Sequence, residues 1–391
     1  MNAPAARSLP ALAWRFLRFG AVAWGGPVAQ IGTLHEELVV RERWVTEERF
    51  RRVLAVYQAL PGPEATELCI WFGTIARGRL GGLVAGLAFL LPGLALMLLA
   101  SWLLLDTAWP PALLAAFAGM QAAVVALVAR AAWRLWRSTA PGQPQLRQIA
   151  VVALLGSLVG VPFAVSLVGG GLTAAVWRTR WHLALLPIAA LWLAFAAHGA
   201  AQLGVLSSLP LDGEAGPTPP LSTLFTSGLR AGALTFGGAY TAIPFLQQDA
   251  TGPLGWMTLR QFLDGLAVGG VLPAPMVIFG TWVGFAGGGL AGALLLTLGI
   301  FLPAFSFPIL LHDQLERLVQ KPRIHALLDG IAAAVLGLIA AVAVQLAGTL
   351  TSWPRAAIAA AALLAMLRWR WRLAVLPVMA GAAALGSVLC G

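Results

Sequence analysis

Two arginines, Arg18 and Arg230, sit inside apolar segments. A cationic side chain at the middle of a membrane helix costs ~2.5–3.5 kcal/mol on insertion scales, so it needs a counter-charge or a wet cavity. The guanidinium fork binds a tetrahedral oxyanion through paired, charge-assisted hydrogen bonds. Two such forks converging on one site would suit a dianion. The competing reading is that Arg18, only a turn or two into its segment, snorkels to the membrane interface.

A few residues beyond each arginine the chain carries a glycine pair, Gly25-Gly26-Pro27 and Gly237-Gly238. Proline suits the first turn of a new helix, and a helix restarting there would aim free N–H groups at an anion. Close helix packing through small residues is the alternative. Further on stand Leu60-Pro61-Gly62-Pro63 and Leu272-Pro273-Ala274-Pro275. Pro61, Pro63, Pro273 and Pro275 must interrupt their helices, because each lacks a donor and restricts the residue before it. Irregular backbone at membrane depth is tolerated only against protein or a cavity. Gln58, just before the first break, is a candidate lining residue. Glu64, Glu67 and Asp264 lie in or beside the second segments and could carry protons, or else neutralise Arg18 and Arg230. Asp329 and His198 read as packing or interface residues.

The elements holding these groups must be membrane helices. Hydrophobic residues make up 59% of the 391 and charged ones 10%, against ~45–50% and ~25% in soluble domains. Apolar runs of about 20 residues, enough to cross a bilayer, are clearest at 83–105, 113–132, 183–203, 290–311 and 331–350. The first ten residues do not read as a cleavable signal peptide. Two cysteines give neither a disulfide framework nor a CxxC metal site, and no cofactor is implied. The net charge of +10 comes from arginines in short loops beside apolar spans. That is a topology signal and not a nucleic-acid face. Gly287, Gly289 and Gly292 satisfy GxGxxG without a surrounding βαβ unit, so no nucleotide site is expected. Gly82/Gly86 and Gly288/Gly292 fit GxxxG, a helix-packing signal at best.

Shifting the chain by 212 residues aligns its two halves without a gap. Arg18 falls on Arg230, Gly20 on Gly232, Trp44 on Trp256, Thr46 on Thr258, Phe50 on Phe262, Pro61 on Pro273, Pro63 on Pro275, and Phe89-Leu90 on Phe301-Leu302. The reading is an all-α polytopic protein of two homologous halves, 1–181 and 221–391, joined by 182–220, which holds one extra span (182–206) and a polar linker. Each half has six apolar segments, so the extra crossing would invert the second half. Arg130, Arg134, Arg137, Arg147, Arg178 and Arg180 in half one, and Arg317, Lys321, Arg323, Arg368, Arg370 and Arg372 in half two, all become cytoplasmic only if it does, with the N-terminus inside. An inverted repeat with a midplane site is a recurring transporter architecture. The loop 35–52 has five Arg and five Glu and does not vote, so whether the first two segments of each half cross or re-enter stays open.

The combined motifs resemble the chromate transporter family. They are Phe19-Gly20 with Gly25-Gly26-Pro27, Glu37, Trp44, Phe50, Gln58-Ala59-Leu60-Pro61-Gly62-Pro63, Gly73 and Phe89 to Pro92. In half two they are Phe236 to Tyr240, Pro244, Gly255-Trp256, Phe262, Pro273-Ala274-Pro275, Gly284 and Phe301-Leu302-Pro303. The resemblance covers both halves and implies the long, two-domain form. It also implies export of chromate across the cytoplasmic membrane, chromate resistance, and sulfate as a structural analogue. Half two departs from the pattern at Ala274 and at Gly269-Gly270, which implies an asymmetric site dominated by half one. The expected protein is thus a secondary carrier with alternating access and no enzymatic activity. Its partners are a chromate-like or sulfate-like oxyanion and the lipid bilayer, not nucleic acid; the oligomeric state stays open, a homodimer included. Rival readings are a carrier of another anion, a passive channel, and a polytopic lipid-modifying enzyme.

Overall fold

The structure, a computed structural model, describes residues 8–24, 26–105, 110–139, 143–178, 215–236, 239–252, 255–310, 322–369 and 374–389. The linking span expected at 182–206, together with Gly25, Gly237 and Gly238, lies outside the described residues. All regular elements described are helical. In the first half these are α1 (Leu9–Ala21), α2 (Gly26–Leu34) running into a π-helical turn (His35–Arg41), α3 (Glu47–Ala59), α4 (Glu64–Leu105), α5 (Pro111–Thr139), α6 (Pro144–Leu158) and α7 (Phe163–Arg178). In the second they are α8 (Leu221–Ala233), a 3₁₀ turn (Ala239–Thr241), α9 (Ala242–Thr251), α10 (Leu259–Val271), a 3₁₀ turn (Met276–Ile278), α11 (Phe279–Leu310), α12 (Pro322–Ala347), α13 (Trp353–Arg368) and α14 (Val375–Leu389). Among the described residues four stretches are long and apolar enough to cross a bilayer: Glu64–Leu105, Pro111–Arg137, Met276–Leu310 and Ile324–Ala347. Outward-facing Leu80, Leu83, Leu87 and Leu91 make an apolar stripe along α4. The chain is a multi-pass membrane protein.

Local chemistry starts and stops these helices in the same way in both halves. Thr46 caps α3 by accepting from the Arg49 N–H, and Thr258 caps α10 in a reciprocal box with Gln261. Both helices end at a leucine in extended conformation, Leu60 or Leu272, because a proline follows. α4 and α11 are each two helices joined by a tight reversal. Arg77 and Gly78 (φ −148°, then +62°) match Gly288 and Gly289 (φ −166°, then +57°). The second residue of each pair is glycine because a side chain at that positive φ would be strained. Across the reversals Gly73 lies against Gly81, and Gly284 against Gly292, backbone on backbone. Gly288 is therefore a turn residue, and of the Gly288/Gly292 pair it is Gly292 that packs backbone on backbone, against Gly284.

The reversals also correct the gapless register. The offset is 212 for α1 and α8 and for α3 and α10, but 211 from Trp71/Trp282 onward, so Pro92 matches Pro303 and Phe89 matches Ile300. Gly20 meets the backbone of Phe89, and Gly232 that of Ile300, which fixes the shift. Its cause is the turn Met276–Ile278, which is 3₁₀ where half one is already α-helical. Three residues rising ~2.0 Å each cover the length of four rising ~1.5 Å.

Packing interlocks the halves. α1 lies on α4 and α8 on α11, and α4 and α11 touch each other. Beyond that core, α5 of half one packs against α13 and α14 of half two, while α12 of half two packs against α6 and α7 of half one. Lipid gives apolar side chains no reason to prefer each other, so such crossings depend on close approach at small residues. Gly119 of α5 lies on Ala382 and Gly386 of α14, and Gly330 of α12 lies on Gly170 and Ala174 of α7. A Cβ on Gly119 or Gly330 would overlap neighbouring backbone, whereas one on Gly381 would meet nothing within 4 Å. Gly119→Ala and Gly330→Ala should each cost about 1–3 kcal/mol as overpacking. We expect both to lower the melting temperature of the detergent-purified protein by several degrees and Gly381→Ala to leave it unchanged.

Candidate substrate site

The helix breaks of the two halves complete one another. In half one the Pro-Gly-Pro break exposes the Gly62 N–H, which donates to the Thr235 carbonyl at the end of the α8 segment (2.8 Å). In half two the Pro-Ala-Pro break exposes carbonyls. Val271 O accepts from Trp24 Nε1 (2.9 Å), and Ala274 O accepts from Gln30 Nε2 (3.1 Å), which also donates to Ala23 O (2.7 Å). Trp24 and Gln30 flank the first glycine pair. Gly26, at φ +75°, has the Tyr240 hydroxyl beside it, and Tyr240 follows the second pair. The long arm of α4 passes through the same region, its Gly93 in contact with Ala274 and Pro273. Pro63, Pro273 and Pro275 are buried and Pro61 is half-buried.

Gly62 holds a conformation (φ +153°) that L side chains rarely adopt. The Glu67 carboxyl lies over it: a Cβ on Gly62 would sit 2.6 Å from Glu67 Oε1. Glu67 is fully buried, and Glu64, one turn earlier, is 6% exposed. Neither oxygen of Glu67 has a hydrogen-bond partner among the described residues. Two enclosed carboxyl groups thus open α4 beside the central break. Asp264 lies elsewhere, on α10, where its Oδ1 accepts from Gln121 Nε2 of α5 (2.7 Å).

The arginines that the repeat pairs have unlike surroundings. α1 buries Leu12, Phe16 and Gly20, and at 100° per residue Arg18 falls on the opposite, exposed side. Arg230 is 42% exposed, ion-paired with Asp249, which also accepts from Ser227 (2.6 Å), and lies over the Phe163 ring. The arginine of α1 that turns inward is Arg15. It pairs with Glu42 (2.5 Å) and lies near the Phe19 and Trp44 rings. Gln58 is exposed on α3. Sequence reasoning passed over Arg15, Trp24 and Gln30, and named Tyr240 only as a motif residue. Gln30, an amide in an apolar segment a few residues past a glycine pair, was the most visible of these.

Fold and site together define a helical, multi-pass membrane protein whose repeated halves meet through interrupted helices. The chain belongs to the chromate transporter family: the family model described as "Chromate transporter" matches residues 10–199 and 222–387, both halves. Membership makes it a transporter rather than an enzyme. It is 50% identical over 348 residues to a "Chromate transport protein" of Pseudomonas aeruginosa (88% of this chain, 82% of that one). It is 28% identical over 389 residues to a "Chromate transport protein" of Cupriavidus metallidurans (97% and 93%). To a "Probable chromate transport protein" of Synechococcus elongatus it is 30% identical over 355 residues (87% and 85%). No solved structure matches the chain.

Removing the amide of Gln30 would leave the Ala23 and Ala274 carbonyls unpaired in a buried site, at about 1–3 kcal/mol. We expect Gln30→Leu to reduce both melting temperature and transport. Gln30→Ala should do the same, and Gln58→Ala, on the exposed side of α3, should change neither.

Proposed function

We propose that the protein is a secondary carrier that exports chromate, a tetrahedral dianion, across the cytoplasmic membrane and so confers resistance to it. The observation that carries this reading is the mutual completion of the breaks: Gly62 with Thr235, and Trp24 and Gln30 with Val271 and Ala274. An oxyanion entering there would compete with the Thr235 carbonyl for the Gly62 N–H, and with the Val271 and Ala274 carbonyls for the Trp24 and Gln30 side-chain donors. Gly26 and Gly62 line its path and the four prolines hold the breaks open; Gly25, Gly237 and Gly238 remain candidates from the sequence alone. Arg18 and Arg230 contribute positive field from outside this centre, Arg230 moderated by Asp249. Glu67 and Glu64 carry the coupling proton, being enclosed beside that path; Asp264 is the second candidate for that role.

The halves run in opposite directions through the membrane, with the N-terminus cytoplasmic, and the first segments of each half re-enter. Two contacts support this. Trp71 has the Arg49 guanidinium over its ring, and its neighbour Phe72 stacks on Phe50, toward the reversal end of α4. The equivalent of Trp71, Trp282, lines a cavity with Leu104 and Leu105, at the far end of the same helix. Because α5 and α12 are exchanged, the bodies that rock in alternating access are not the sequence halves. They are the central α1–α4 and α8–α11 assembly and the two flanking bundles.

An inside-negative potential of 100 mV favours outward movement of a dianion by roughly 4.6 kcal/mol, a concentration ratio of roughly two-thousandfold. Cells expressing the chain should therefore accumulate less radiolabelled chromate than controls, and collapsing the potential should weaken the effect. Gly62→Ala should restore accumulation to the control level with the protein still in the membrane. Unchanged accumulation with the wild type would overturn the chromate assignment and direct the assay to sulfate.

A further inference from the structure

A second polar cavity, of about 200 Å³, lies away from the central breaks, at the far end of α4. Its polar lining comes from Gln121 of α5, Arg260, Gln261 and Asp264 of α10, and Arg355 of α13, with Trp282 of α11 as a wall. Two guanidinium groups face one carboxylate, and that carboxylate is already engaged by Gln121 (2.7 Å). The balance is one positive charge in a recess between helices. The frame is stiff: Trp282 Nε1 donates to Gln261 O (2.9 Å), and the Gln261 side chain is tied into the Thr258 cap. At ~30 Å³ per water the space equals about six or seven waters, and it falls below the ~300–1,000 Å³ usual for drug-sized ligands. It therefore suits a small, partly hydrated anion, and two forks favour a divalent oxyanion over a halide.

The charges of the site are not repeated in half one. Arg260 and Asp264 occupy the repeat positions of Glu48 and Arg52, where the charges are reversed and the two side chains pair in the open (3.2 Å). Arg355 falls on Pro144. A local charge reversal has thus turned one end of the repeat into a cationic recess.

We infer that this cavity is a second oxyanion site, a vestibule that the transported dianion occupies at the end of the protein opposite the His35–Arg52 loop. The inference rests on the reading of the protein as an oxyanion carrier. Its test is the reactivity of a thiol placed in the lining by Ala118→Cys, with Cys69→Ser and Cys390→Ser removing the native thiols. Labelling of the purified protein by a neutral maleimide should slow at least fivefold in millimolar sulfate, and not in chloride at equal ionic strength. Arg260→Gln with Arg355→Gln should abolish the protection. Arg260→Lys with Arg355→Lys, which keeps the charge but not the fork, should keep part of it at higher sulfate concentration. No protection in the presence of both arginines, or equal protection after the glutamine substitutions, overturns the vestibule. Chromate export by the same protein is assayed separately. Export without protection defeats this inference alone, and protection without export defeats the chromate reading alone.

Discussion

In a bilayer an unpaired backbone N–H or C=O has no water to turn to, so an interrupted helix survives only where protein supplies the missing partner. That constraint organises this molecule. Prolines at positions 61, 63, 273 and 275 make interruption unavoidable, and the freed groups find partners across the repeat boundary. Gly62 N–H reaches Thr235, while Val271 and Ala274 carbonyls are met by Trp24 and Gln30. The break in half one offers a donor and the break in half two offers acceptors. The pairing is therefore directional, although the sequences forming the breaks are nearly alike.

The second organising fact is the exchange of α5 and α12. With no hydrophobic force between helices in lipid, the exchange is held by backbone contact at Gly119 with Gly386 and at Gly330 with Gly170. Such surfaces tolerate sliding poorly, because any displacement brings a side chain against backbone. Movement is then easier between the glycine-bonded bundles than within them. The centre, where partners are single hydrogen bonds, is the natural seam.

The repeat, the two proline breaks and the membrane character were legible from residue types alone, since aligned Arg, Trp and Pro are not produced by shared low complexity. The change of register was not, because Phe89-Leu90 and Phe301-Leu302 happen to match at the wrong offset. Nothing in three apolar residues, Met276 to Ile278, announces a 3₁₀ turn. The exposure of Arg18 was open to a helical-wheel argument from Leu12, Phe16 and Gly20, but its recurrence as Arg230 drew the emphasis elsewhere. Recurrence records common descent of a position and does not say which way the side chain faces. The exchange of helices, the Gln121–Asp264 bond and the meeting of Arg260 with Arg355 depend on contacts between distant parts of the chain, which one sequence does not encode in any local pattern.

The exchange has a consequence for ancestry. A single repeat standing alone would present the glycine face of its fourth helix with nothing to cover it, the cover being carried by another copy. An ancestral one-repeat protein of this design had to work as a pair of chains, each lending its last helices to the other. Fusion then fixed the stoichiometry at one to one and released the copies from being identical. Only after that could one copy gain Arg260 and Asp264 where the other kept Glu48 and Arg52, so that equivalent corners of the molecule carry opposite charge order.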